Sequence, residues 1–149
     1  MTQTPPYLLP LVLAVNPVNP VVEDTIDWYL PPGDAPVPAV MFVHGGPLPP
    51  TLRPKPRRWP VYQGYGALAV SRGLVGVTFD HRFFGYDVLQ DALADIADVV
   101  ERVRSHPRVD RDRLAIWAFS GGGVFGKWMA ARPDWLRCVA ASYPTCRLA

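Results

Sequence analysis

Three short clusters in this sequence hold side chains capable of chemistry. Ser120 is followed by Gly121, Gly122 and Gly123, directly after the apolar run Leu114 to Phe119. His44-Gly45-Gly46 follows the apolar run Ala39 to Val43. Asp80-His81-Arg82 follows a third such run, Leu74 to Phe79. A serine at a sharp turn from strand to helix presents its hydroxyl at the top of a sheet, and small neighbours let a substrate approach. The chemistry such a serine performs is acyl transfer, which passes through a tetrahedral oxyanion. That anion needs preorganised N–H donors. Gly121 follows the serine and supplies one N–H. Pro47 has no N–H, so the second donor is Gly45 or Gly46, where the missing Cβ permits close approach.

Each cluster ends an apolar run that fits a buried strand. The segments between them read as helices. Val88 to Ser105 is the clearest, with Leu89, Ala92, Leu93, Ile96, Val99, Val100 and Val103 on one face and acids on the other. Tyr62 to Arg72 reads as a shorter helix with Gly73 as its C-cap. Gly121 to Ala131 reads as a third, stopping before Pro133. Thr25 to Leu30 reads as an early strand at a sheet edge. Leu136 to Tyr143 reads as a last strand. Strands alternating with helices predict an α/β fold, a mostly parallel sheet with helices on both faces. In such a sheet ligands sit at the C-terminal strand ends, where all three clusters fall. No internal repeat is visible, and residues 1–149 read as one domain.

At these residues the sequence resembles the α/β-hydrolase family. The resemblance rests on Phe42-Val43-His44-Gly45-Gly46-Pro47 and on Asp112 through Ser120 to Gly123. It covers roughly residues 25–145 and is nearest to esterase and dienelactone-hydrolase-like members. It implies Ser120 as nucleophile, Gly121 as one oxyanion donor and Gly45 or Gly46 as the other. It implies a serine hydrolase acting on small carboxylic esters through an acyl-enzyme, with no cofactor and no metal. Two features depart from the pattern. Ala118 stands where the family has a glycine. The family order is nucleophile, acid, histidine, yet the only acid after Ser120 is Asp134, and no histidine follows. Asp134 falls between a helix end and the next strand, at the wrong end of the sheet. The chain therefore reads as C-terminally truncated, lacking the last strands and helix.

The three histidines are His44, His81 and His106. His44 belongs to the glycine loop. His81, at the correct end of the sheet beside Asp80, is the secondary candidate for a base. His106 precedes Pro107 at a helix end and reads as a surface residue. Without a base the Ser120 hydroxyl cannot give up its proton efficiently. The alternative is thus a catalytically incomplete remnant that binds or does nothing. A dinucleotide site fits less well. Gly121, Gly123 and Gly126 satisfy the glycine spacing, but Ala140 to Pro144 carries no acid where the ribose ligand should end the next strand.

Composition excludes other classes. The net charge of +2 gives no footprint for nucleic acid. Tyr7 to Val15 is apolar but lacks a basic flank, is broken by Pro10 and is too short to span a membrane. A cytoplasmic location is expected. Cys138 reads as a small core residue. An extended segment would hold Cys146 roughly 26 Å away, beyond disulfide reach. Residues 47–60 form a proline-rich loop with Arg53, Lys55, Arg57 and Arg58, read as solvated or as facing an acidic substrate. The last strand is expected to leave an apolar sheet edge that invites self-association.

Overall fold

The computed structural model describes residues 4–10, 14–131 and 134–145. Its strands are β1 (Val21–Glu23), β2 (Ile26–Tyr29), β3 (Val37–Val43), β4 (Val75–Phe79), β5 (Val109–Phe119) and β6 (Leu136–Ser142). Its helices are α1 (Pro60–Ser71), α2 (Leu89–Ser105) and α3 (Gly126–Ala130). The strands form one sheet in the order β1-β2-β4-β3-β5-β6. The four strands from β4 to β6 are parallel, while β2 runs antiparallel to β4 and β1 antiparallel to β2. The early strand is therefore not the edge. A turn at Asp24, with φ of 49°, returns β1 alongside it.

The side-chain alternation of the strands sorts two cores. Ala39, Met41 and Val43 of β3 and Leu114, Ile116 and Ala118 of β5 face α2, whose Ala92, Ile96, Val99, Val100 and Val103 cover them. Phe42 of β3 and Phe119 of β5 face the other way, toward Tyr62 and Ala69 of α1. Helix α1 ends as its sequence predicts. Gly73 takes φ of 71°, its N–H donates to the Val70 carbonyl, and the Leu74 N–H donates to Ala69. That pair of bonds satisfies carbonyls the helix would otherwise leave open.

Connectivity places the site. The chain leaves β3 through α1 to β4 on one side, then returns through α2 to β5 on the other. The loops leaving the adjacent strands β3 and β5 thus diverge to opposite faces. Such a switch point opens a crevice at the carboxyl ends of the strands.

Three further expectations change. The segment after Ser120 begins as a 3-10 turn, Ser120–Phe125, before α3 starts at Gly126. Cys138 is exposed on β6 and is not a core residue. Every residue of β6 from Arg137 to Ala141 is exposed, on both faces of the strand, and only β5 pairs with β6 among the described residues. Cys146 lies outside the described residues. Residues 47–60 are also less solvated than expected. Arg57 and Arg58 turn inward onto the fully buried Asp27 at 3.3 and 3.2 Å, and Arg57 also pairs with Asp80 at 3.0 Å.

Candidate active site

Ser120 stands where β5 gives way to the 3-10 turn, exposed and with φ of 49°. A non-glycine residue in the left-handed region costs backbone energy and needs its surroundings to hold it there. One hydrogen bond and two close backbone approaches surround it. The Ser120 carbonyl accepts the Thr145 N–H at 2.8 Å. A Cβ on Gly45 would come within 3.0 Å of the Ser120 Cβ. A Cβ on Gly121 would run into the Gly46 carbonyl. The two glycine loops therefore touch backbone to backbone, which side chains at these positions would prevent.

The structure thus brings Ser120, Gly121, Gly45 and Gly46 together at the switch point. The two donor candidates from the β3 loop differ. Tyr62 of α1 lies beside Gly45, and burial pushes its pKa up while the Gly45 backbone partly holds it down. The Gly46 nitrogen lies against Gly121, 2.8 Å from where a Cβ on Gly121 would sit. The nearness of Tyr62 to Gly45 was invisible in the sequence, since its place in the apolar helix α1 marks it only as core. Phe83, which packs under Gly46, was equally hidden.

The histidines are all occupied away from Ser120. The His44 and His81 rings stack at 3.7 Å with planes 8° apart. The His44 Nδ1–H donates to the Gly45 carbonyl at 2.7 Å, and the His81 Nε2–H donates to the His44 carbonyl at 3.1 Å. The remaining nitrogens, His44 Nε2 and His81 Nδ1, are buried without a partner. Neither His81 nitrogen is hydrogen-bonded to Ser120. Burial holds the His44 pKa well below its usual value and lowers that of His81 to about 4. Both rings are therefore neutral at pH 7. His106 stacks on Trp28 at 4.3 Å and is half-buried, more packed than a surface residue. Asp134 lies before the start of β6, at the opposite end of the sheet from Ser120.

A cavity of about 310 Å³ opens beside the site, between the proline-rich loop and the end of β4. His44, Leu48, Leu52, Lys55, Asp80 and His81 line part of it, and Ser120 does not. Asp80 is held partly protonation-prone by burial, against the Arg57 N–H and guanidinium that favour its charge. Among the described residues, no group of three or more His, Cys, Asp and Glu side chains is placed to hold a metal ion. No helix among them is long and apolar enough to cross a membrane.

The model of the prolyl oligopeptidase family matches residues 73–149, just over half of the chain. The chain belongs to the prolyl oligopeptidase family. The matched stretch holds β4, β5, Ser120 and β6 of the prolyl oligopeptidase-family fold. No curated protein sequence matches the chain. Several solved structures share its fold. Esterase 2 of Thermogutta terrifontis, phosphoramylated by tabun, is 17% identical with a TM-score of 0.64, covering 83% of this chain and 52% of its own. A dipeptidyl aminopeptidase IV assigned in Bacteroides ovatus is 22% identical with a TM-score of 0.65, covering 80% of this chain and 19% of its own. Esterase Est22 is 21% identical with a TM-score of 0.61, covering 80% and 38%. The chain spans about half the length of the Thermogutta esterase. The α/β-hydrolase fold is thereby established.

Proposed function

We propose that these residues form the acyl-binding, nucleophile-bearing site of a serine hydrolase whose general base is not among them. Ser120 Oγ would attack a carbonyl carbon, and the Gly121 and Gly46 N–H groups would hold the resulting oxyanion. The attack releases a proton that a base must take. One observation carries the reading. Ser120 is exposed at a strained turn between two glycine loops, while all three histidines are bound elsewhere. The Ser120 hydroxyl therefore has an oxyanion site without an activator. Hydrolases stripped of triad members keep roughly 10³–10⁴-fold over water from binding and oxyanion stabilisation, so slow acylation is the expected residual chemistry.

The substrate class in this reading is a small carboxylic ester, supported by fold likeness to esterases. No cofactor enters the reaction. The exposed β6 edge supports self-association, and the unpaired Cys138 thiol suits a reducing, cytoplasmic location.

A fluorophosphonate probe tests the site. Slow labelling of the wild type and none of Ser120→Ala is expected, with turnover of p-nitrophenyl acetate far below ordinary enzyme rates. Turnover at ordinary enzyme rates, abolished by Ser120→Ala, would replace this reading with a complete esterase. An unlabelled but folded wild type would remove Ser120 as nucleophile.

A further inference from the structure

The stacked imidazoles raise a question that the proposed chemistry does not answer. Two neutral histidines are buried face to face, each leaving one ring nitrogen without a hydrogen bond. A buried polar atom without a partner costs stability. The nitrogens that are bonded grip two consecutive carbonyls, those of His44 and Gly45. In a trans peptide the C=O and the next N–H belong to one plane and point in opposite directions. The His44 carbonyl shares its plane with the Gly45 N–H, and the Gly45 carbonyl shares its plane with the Gly46 N–H. Fixing each carbonyl toward the rings therefore aims each N–H away from them.

We propose that His81 is a positioning residue for the oxyanion loop. Its Nε2–H holds the His44 carbonyl, and its ring face supports the His44 imidazole that holds the next carbonyl. The proposal rests on the reading of Gly46 and Gly121 as oxyanion donors for its consequence, but not for its geometry. His81 reaches across 37 residues of sequence to do this. It is seated by Phe79, Phe83 and Phe125, with ring centroids 6.0, 6.5 and 5.9 Å away. Phe83 also packs beneath Gly46, so the same aromatic group carries both the histidine and the loop. A base role would require a ring nitrogen turned to Ser120. The positioning role requires the tautomers seen here, Nε2–H on His81 and Nδ1–H on His44.

Two variants separate the donor from the ring. His81→Phe keeps an aromatic face and loses the N–H. His81→Gln keeps an N–H at a similar reach and loses the face. Amide hydrogen exchange on the full chain is the readout, because it does not depend on activity. His81→Phe is expected to speed exchange at Gly45 and Gly46 about tenfold relative to Met41 in β3, and His81→Gln to restore most of that protection. Fluorophosphonate labelling of Ser120 should slow in His81→Phe and recover in His81→Gln. Unchanged exchange at both glycines in His81→Phe overturns the proposal. If that variant does not fold, ¹⁵N imidazole shifts of the wild type decide. The opposite tautomers, or a charged His81 at pH 6, would overturn it equally. A wild type that fails to label while His81→Phe loosens the glycines would instead sink the hydrolase reading and leave the positioning role intact.

Discussion

The strands β4 and β6 belong to the same parallel sheet and live in different environments. Every residue of β4 is buried, between β2 and β3 and beneath helices on both faces. In β6 only the two end residues are half-buried, Val139 is 40% exposed, and Tyr143 just beyond is 74% exposed. The site lies between these flanks and draws one part from each. The glycine loop is tied to the closed flank through His81 and Phe83. The Ser120 turn is tied to the open flank through Thr145 and through Gly123, whose Cβ would meet Pro144. The contrast teaches that the glycine loop after β3 is anchored in a closely covered part of the sheet, while the Ser120 turn beside it rests on a thinly covered strand.

The largest test of that contrast is a cavity in the closed flank. Phe79→Ala removes a ring that is 1% exposed in β4, and should cost about 3–5 kcal/mol in urea denaturation. A much smaller loss would show that this flank is not the more tightly packed one.

Acid provides the next. Burial lowers the His81 pKa from 6.5 to about 4, so between those values the unfolded chain holds a proton that the folded chain does not. The His81 contribution is present in full above pH 6.5 and is lost as the pH falls toward 4, amounting to about 3 kcal/mol. In His81→Gln that part of the pH dependence should vanish from the stability curve. A wild-type midpoint that stays level from pH 7 to 4.5 would contradict it.

The smallest effect belongs to the open flank. Val139→Lys should change stability by less than about 1 kcal/mol. A charge on a sheet edge discourages pairing with another chain. Sedimentation velocity should accordingly show less self-association in this variant. Equal association in both proteins would point to contacts elsewhere.

The parts of the fold legible in the sequence are those governed by local periodicity. The stripe of α2 and the apolar runs of β3, β4 and β5 each announce an element, because burial on one or both faces leaves a pattern in consecutive residues. Gly73 was legible because a helix end in the left-handed region favours glycine. The β1 strand was not, since Val21, Val22 and Glu23 are too few to show alternation. Cys138 was misread because an apolar run signals burial only when something covers it, and nothing pairs with the outer edge of β6 among the described residues. The inward turn of Arg57 and Arg58 was hidden for a related reason. Their partner Asp27 lies some thirty residues earlier, and only the closing of β2 against β4 buries it.

By itself the sequence determined which groups could do chemistry. The serine, the glycines around it and the absence of any later histidine are matters of residue type and spacing, and no folding is needed to see them. Tertiary structure decided which groups meet. It placed the Gly46 nitrogen against Gly121, set Tyr62 beside Gly45, and bonded His81 to the His44 carbonyl. The physical reason is that a hydrogen bond depends on direction and distance within a few tenths of an ångström. Those are fixed only when strands distant in the chain stand side by side.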